Sequence, residues 1–335
     1  MLFSNFKIKD FNFKNRIVMA PMCMYQADSF GLVNAFHLTH YGARAIGGVG
    51  CVIVEATAVE ARGRISENDL CIYSDEHVYG LKRLANNIKR FGSIAGIQLA
   101  HAGRKSQTSG NIIAPSAINF PNMITPIEMN NNDILSVIQA FKLAAYRANQ
   151  AGFDLIEIHA AHGYLINQFL SNLTNKRTDA YGGSIDNRLR FLSEILDAVA
   201  EVWPKDKILG IRVSAEEYHE NGNHVDDLAY MINYIKNKGI DFVNVSSGGV
   251  VPAKIDTYPG YQLGFAQKLK EKTNLPVIGG GLITTAKEAN QAINERNIDL
   301  IYLGRELLRN PHFPHYAAKE LEVEFNPHPS YIRAK

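Results

Sequence analysis

Apolar residues in this chain fall into two alternating kinds of run. The first kind is short and unbroken: Ile17-Val18-Met19-Ala20, Cys51-Val52-Ile53-Val54-Glu55-Ala56, Ile94 to Leu99, Leu155-Ile156-Glu157-Ile158, Ile208 to Val213, Phe242 to Val245, Leu275 to Gly279 and Leu300 to Leu303. Such runs are too continuous for a strand with one wet face, and they suit parallel strands covered on both sides. The second kind has helical spacing: Leu81/Leu84/Ile88/Phe91 with Gly92 as a stop, Ile134/Ile138/Phe141/Ala145, Leu228/Met231/Ile232/Ile235 and Ala286/Ala289/Ile293. His37 to Ala45 also read as a helix.

An internal echo ties these runs together. Gly152-Phe153-Asp154-Leu155-Ile156-Glu157-Ile158 is matched by Gly239 to Val245 and again by Asn297 to Leu303. Each copy closes an amphipathic helix with Gly or Asn and opens a buried strand. Eight alternating strand–helix units in one chain predict a TIM (β/α)8 barrel, a single domain over 1–335. A doubly wound sheet is the alternative, but no Gly-x-Gly-x-x-Gly follows a strand. Residues 1–15 alternate about Lys9-Asp10 and predict a hairpin cap. Residues 102–132 read as a long strand-to-helix loop of the kind that carries function. The tail, 326–335, carries two prolines and is expected to be extended.

Composition narrows the partners. The 335 residues are 46% hydrophobic and 20% charged, with a formal net charge of +2. That balance gives no electrostatic reason to expect nucleic acid or a membrane surface. The first ten residues hold no apolar leader and no run reaches membrane-span length, which points to a cytoplasmic protein. Three cysteines without CxxC spacing argue against a disulfide framework or a structural metal.

Polar side chains gather where the strands end, the working face of such a barrel. Ala20-Pro21-Met22-Cys23 with Tyr25 follow the first strand; then come Ala56, Gln98 with His101, His159 with His162 and Tyr164, Arg212, Ser246-Ser247-Gly248, Gly279-Gly280-Gly281 and Gly304-Arg305. His159, His162 and Tyr164 can each donate a hydrogen bond near neutral pH. His-x-x-His is also a metal-ligand spacing. A hydrolase using those two histidines as ligands is therefore a competing reading, although the other strand ends lack the carboxylate it would need. His37-x-x-His40 lies in a helix and reads as structural. The last two strand ends offer bare amides and an arginine, a combination suited to a phosphate. Arg212 emerges from an apolar strand and needs an anionic partner: a phosphate-bearing cofactor with an electron-rich ring, or an ion pair with Glu157 or Glu216. Cys23 is either a small buried residue or a tuner of a redox centre.

Taken together, Ala20-Pro21-Met22-Cys23-Met24-Tyr25, Gly96 to Arg104, the stretch opening at His159, Arg177-x-Asp179-x-Tyr181-Gly182-Gly183-Ser184 and Gly304-Arg305-Glu306-Leu307-Leu308 resemble the old yellow enzyme family of FMN-dependent ene-reductases. The match is to its short bacterial class of NADPH dehydrogenases. The resemblance implies FMN across the barrel mouth, held by Ala20, Pro21, Met22, Cys23, Ala56 and Gln98. Arg212 would sit at its N1–O2 edge, with Gly281, Gly304 and Arg305 at its phosphate. It implies NADPH, or NADH, as reductant and an α,β-unsaturated carbonyl as the compound reduced by ping-pong hydride transfer, with nitro compounds and quinones as further acceptors. His159 and His162 would bind the carbonyl oxygen, Tyr164 would protonate the α-carbon, Cys23 would tune the flavin, and Tyr25 would line the substrate rim. It further implies a homodimer or homotetramer in which Arg333 reaches a neighbouring active site. A flavoprotein barrel that modifies tRNA is a third reading, disfavoured by the near-neutral charge.

Overall fold

The computed structural model describes residues 1–334; Lys335, the last residue of the tail, lies outside the described residues. The eight apolar runs close into one parallel barrel in which every strand pairs with its sequence neighbours. The strands are β1 Ile17–Met19, β2 Cys51–Ala58, β3 Ile94–Ala100, β4 Leu155–Ala160, β5 Ile208–Ser214, β6 Phe242–Ser246, β7 Val277–Gly279 and β8 Leu300–Leu303. β8 closes the ring on β1, pairing Tyr302 with Val18. The helices α1 Ala35–Ile46, α2 Glu76–Lys89 and α3 Asn131–Gln150 follow β1, β2 and β3, and further helices follow the remaining strands. Their starts are set by side chains. Asn34 and His37 form a reciprocal cap on α1, and Asn130 with Asp133 does the same on α3.

The core has two shells. One lies between strands and helices. The other fills the barrel interior with Val18, Cys51, Ile53, Ile94, Leu155, Ile208, Phe242, Ile278 and Leu300, and Ile8 and Phe13 of the hairpin seal its floor. That hairpin pairs Phe6–Ile8 with Phe11–Phe13 about Lys9, whose φ is 51°. Gly210 is required inside: a Cβ there would lie 2.1 Å from the Phe242 ring. Above this apolar floor the interior turns polar.

Two features differ from the sequence expectation. The long loop carries structure of its own, a 3-10 turn at Gly103–Lys105 and a small parallel pair, Ile113–Ala114 with Ile127–Glu128. Arg177 ties that pair down by donating to the carbonyls of Pro115 and Met129 while gripping Asp179. The tail is not extended to its end. Pro329–Ala334 turn into a 3-10 helix, with Tyr331 N–H bonded to the His328 carbonyl at 2.7 Å. Proline is tolerated in a first helical turn because its missing N–H has no partner there anyway, so Pro329 opens this turn. No helix among the described residues is long and apolar enough to cross a membrane.

Candidate active site

Strand register assembles the polar layer. Gln98 on β3 stands beside Glu157 on β4, and Arg212 on β5 stands between His159 and Asn244. Glu157 is fully buried and accepts from the amides of Gln98 and Asn244, each at 2.7 Å. Burial raises its pKa, and the charge of Arg212 pulls it back. Arg212 has no direct ion pair among the described residues; Glu216 is taken by His224 at 2.9 Å. Arg212 Nε and Asn244 Oδ1 are buried without hydrogen-bond partners. A buried donor and acceptor left unmade in one layer cost about 1–3 kcal/mol each, a penalty that a ligand with matching polar atoms removes.

The histidines lie above this layer. Ala161 N–H donates to His159 Nδ1 at 3.3 Å, so the proton of the neutral ring sits on Nε2. His162 (φ 59°) and Gly163 (φ 71°) are successive left-handed residues that turn the chain across the mouth. There His162 N–H meets Ser214 Oγ at 2.9 Å and its Nε2 meets Ser246 Oγ at 2.7 Å. The two imidazoles stand edge to face, 5.2 Å between centroids, and Tyr164 is 5.1 Å from His159. Burial, then the Arg212 charge, hold both histidines well below the usual imidazole range, so both are neutral donors at pH 7. Burial pushes the Tyr164 phenol up and keeps its proton on. Lys105, absent from the sequence reading of the site, donates to the carbonyls of His162 and Gly249 and lies 5.3 Å from the Tyr164 ring. Among the described residues no further His, Cys, Asp or Glu joins His159 and His162 as a metal-binding group.

On the opposite side, a β-bulge in β2 falls between Val54 and Ala56, so Ala56 stands abreast of Gln98 and Glu55 turns toward α1. Glu55 accepts from Met24 N–H at 2.8 Å and from Tyr41 O–H at 2.9 Å, anchoring the Ala20–Tyr25 segment. Cys23 is a partly exposed free thiol whose pKa is raised by desolvation and by the charges of Glu55 and Asp69. Tyr25, in a left-handed conformation, is half exposed at the rim.

A cavity of about 610 Å³ runs from His162 and Arg212 past Ser246, Gln262 and Tyr302 to Gly281, Gly304 and Arg305. Of the glycine triplet only Gly281 (φ 102°) lines it. Gly279 packs on Leu263 and Ala266, and Gly280 backs Tyr302. Gly304 caps the short helix Arg305–Arg309, beside Met22. Ala20, Met22, Cys23, Ala56, Gln98, His159, His162, Tyr164, Arg212, Gly281, Gly304 and Arg305 therefore share the C-terminal face of the barrel, with Pro21 in the same segment. Arg333 does not join them: Tyr331 lines a groove with Ile46 and Gly47, just before β2, at the opposite end. Tyr302, Gln262 and Asn244 were not singled out from sequence. Ser246-Ser247 at the end of β6 is the one signal that could have led to Gln262, which bonds both hydroxyls.

Comparison with known proteins follows the same lines. Residues 1–324 match the NADH:flavin oxidoreductase / NADH oxidase family. The chain is 52% identical over 335 residues to the NADPH dehydrogenase of Geobacillus thermodenitrificans (strain NG80-2), covering 99% of this chain and 98% of that one. It is 51% identical to the NADPH dehydrogenase of Halalkalibacterium halodurans, with the same coverage of 99% and 98%. Among solved structures, morphinone reductase superposes with a TM-score of 0.84 at 27% identity, covering 98% of this chain and 92% of that one. A 2-naphthoyl-CoA reductase complex gives 0.91 at 28% identity, covering 95% of this chain and 52% of that one.

Proposed function

The chain belongs to the NADH:flavin oxidoreductase / NADH oxidase family, and on that premise we propose that it is an FMN-dependent NADPH dehydrogenase that reduces the C=C bond of α,β-unsaturated carbonyl compounds. The observation that carries this reading is Arg212, whose Nε is buried without a partner, at one end of a 610 Å³ cavity whose other end holds Gly281, Gly304 and Arg305, with the unpartnered Asn244 Oδ1 beside it on the next strand. A flavin mononucleotide fits both ends. Its pyrimidine edge offers an acceptor and a donor to the polar layer, and its phosphate suits bare amides beside a guanidinium.

Bound FMN would supply the hydride chemistry that links NADPH oxidation to reduction at the β-carbon of the enone. The chain's own residues do the rest. Ala20, Pro21, Met22, Cys23, Ala56 and Gln98 would hold the ring, and Cys23 as a neutral thiol would tune it without attacking substrate. His159 and His162 donate to the carbonyl oxygen as negative charge develops there; preorganised donors of this kind are each worth on the order of 10²–10³ in rate. Tyr164, whose phenol stays protonated, delivers the proton to the α-carbon. Tyr25 lines the substrate rim. Nitro compounds and quinones are further acceptors, and NADH is the alternative reductant. We assign the enzyme to the cytoplasm, in keeping with three free cysteines, and to a homo-oligomer in which Arg333 acts on a neighbouring subunit.

The test is direct. Purified protein should be yellow, with one FMN per chain. It should bleach anaerobically with NADPH faster than with NADH and recover its colour with cyclohexenone-type acceptors. Colourless protein carrying stoichiometric metal, or flavin that enones fail to reoxidise, would overturn the reading.

A further inference from the structure

The middle glycine of the Gly279-Gly280-Gly281 run contributes no amide to the cavity. A Cβ on Gly280 would lie 2.7 Å from the ring and from the carbonyl oxygen of Tyr302, so glycine at 280 is what lets that phenol sit in the barrel mouth. The Tyr302 hydroxyl bonds Gln262 Oε1. Gln262 Nε2 donates onward to Ser246 Oγ at 3.1 Å and Ser247 Oγ at 2.8 Å. Ser246 Oγ meets His162 Nε2 at 2.7 Å. A chain of three side chains thus links β8 to the histidine.

We propose that Tyr302, Gln262 and Ser246 are positioning residues that hold His162 as its Nδ1–H tautomer, so that this imidazole meets the substrate oxygen through Nδ1. The proposal rests on reading His162 as a carbonyl donor, and it goes further by naming the donating atom and what fixes it.

Direction along the chain follows from what each group can give. The Arg212 guanidinium lies over the Tyr302 ring, 5.3 Å from its centroid, and has donors only. The phenol proton therefore finds its acceptor in Gln262, which turns the Gln262 amide nitrogen toward the serines. Ser247 accepts from that nitrogen and from the Tyr218 hydroxyl at 2.9 Å. In this assignment Ser246 accepts from Gln262 and gives its own proton to His162 Nε2, 2.7 Å away. A neutral imidazole that accepts at Nε2 carries its proton at Nδ1, and Nδ1 has no hydrogen-bond partner among the described residues. His159 is fixed the opposite way, by a backbone amide on its Nδ1. The two rings then aim N–H groups of opposite tautomers at one oxygen.

The experiment is ¹⁵N spectroscopy of the imidazole rings in the labelled holoenzyme at pH 7, without substrate, with His162 identified by its loss in His162→Gln. His162 should show a protonated Nδ1 and a bare Nε2, and His159 the reverse. In Gln262→Glu the carboxylate accepts from both Tyr302 and Ser246, the serine proton leaves His162, and the signature should switch to Nε2–H. Tyr302→Phe removes the group that sets the direction and should give a mixture, with enone turnover falling in proportion to the lost Nδ1–H population while NADPH still bleaches the flavin. Tyr218→Phe keeps the ring and removes a hydroxyl bonded to Ser247, and it should change neither. A native His162 protonated at Nε2, an imidazolium at pH 7, or an Nδ1–H signature that survives both Gln262→Glu and Tyr302→Phe would overturn the assignment, as would a switch in Tyr218→Phe. Because the tautomer is read without substrate, failure of enone reduction alone would count against the proposed function and leave this result standing.

Discussion

Replacing Glu55 by glutamine separates its charge from its shape. The residue is 1% exposed, holds the Met24 amide and the Tyr41 hydroxyl, and has its carboxyl pushed up from 4.5 to about 7, chiefly by burial. His37 Nε2 lies 3.9 Å away, but burial holds that imidazole down at about 4, so it supplies no compensating charge. A pKa raised on folding means that the folded state keeps a proton which the unfolded chain has lost. Glu55 therefore contributes its stability in full below about pH 4.5 and loses it as pH rises through 7. The gap between 4.5 and about 7, at 1.36 kcal/mol per pH unit, amounts to about 3 kcal/mol. Glutamine cannot ionise and removes that slope. It also gives up one of the two acceptors, a cost of about 1 kcal/mol at every pH.

Urea melts of holoenzyme and Glu55→Gln at pH 5 and pH 8.5 measure the difference, other titrating groups being common to both. At pH 5 the unfolded chain has already lost most of that proton, so the variant should be near parity there, and it should be about 2 kcal/mol more stable at pH 8.5. Parallel losses between the two pH values would refute the argument. The same ionisation should appear as an inflection near pH 7 in the enone half-reaction, because Glu55 anchors the segment that carries Cys23, and the variant should lack it.

Four other outcomes are expected. His159→Ala and His162→Ala should each keep FMN and its reduction by NADPH while enone turnover falls on the order of 10²–10³, checked by stopped-flow of the separate half-reactions. Cys23→Ala should shift the flavin midpoint potential and the balance of the half-reactions without abolishing turnover; a trapped thioether on the productive path would contradict this. Gly280→Ala forces Tyr302 aside and should cost about 1–3 kcal/mol in denaturant melts together with a loss of FMN content. Deleting residues 331–335 should raise KM for enones more than it lowers FMN content. A monomer by sedimentation, or unchanged kinetics, would remove Arg333 from the site.

The strands were legible because each is buried on both faces, and a parallel barrel writes that burial into the chain as unbroken apolar runs. The strand-end chemistry was legible for the same reason: His159, Arg212 and Gln98 interrupt runs that are otherwise aliphatic. What stayed hidden depends on neighbours. Glu55 looks like one more strand residue until the register shift between β2 and β3 shows it to be the bulge. Tyr302 sits in the third copy of a repeated strand pattern and reads as a β-former. Its proposed role comes from Gly280, just past the end of the adjacent strand, and from Gln262, neither of which periodicity links to it. In the tail, proline was weighed as a helix breaker, whereas Pro329 stands where a helix starts.

Two glycines explain why the polar layer lies where it does. An eight-stranded barrel has room inside only for side chains, so a ring on one strand must displace volume on the next. Gly210 yields to Phe242, its direct partner across β5 and β6, and β5 therefore adds nothing to the apolar floor at that level. The next interior residue of β5 is Arg212, which meets His159 on one side and Asn244 on the other. Gly280 yields to Tyr302 in the same way across β7 and β8, and the ring that fills its space lies beneath the Arg212 guanidinium. Both exchanges move bulk onto aromatic rings and leave the cation between neutral donors. A side chain at 210 would push Phe242 toward Arg212 and Asn244, so the proposed cofactor site depends on packing one layer below it.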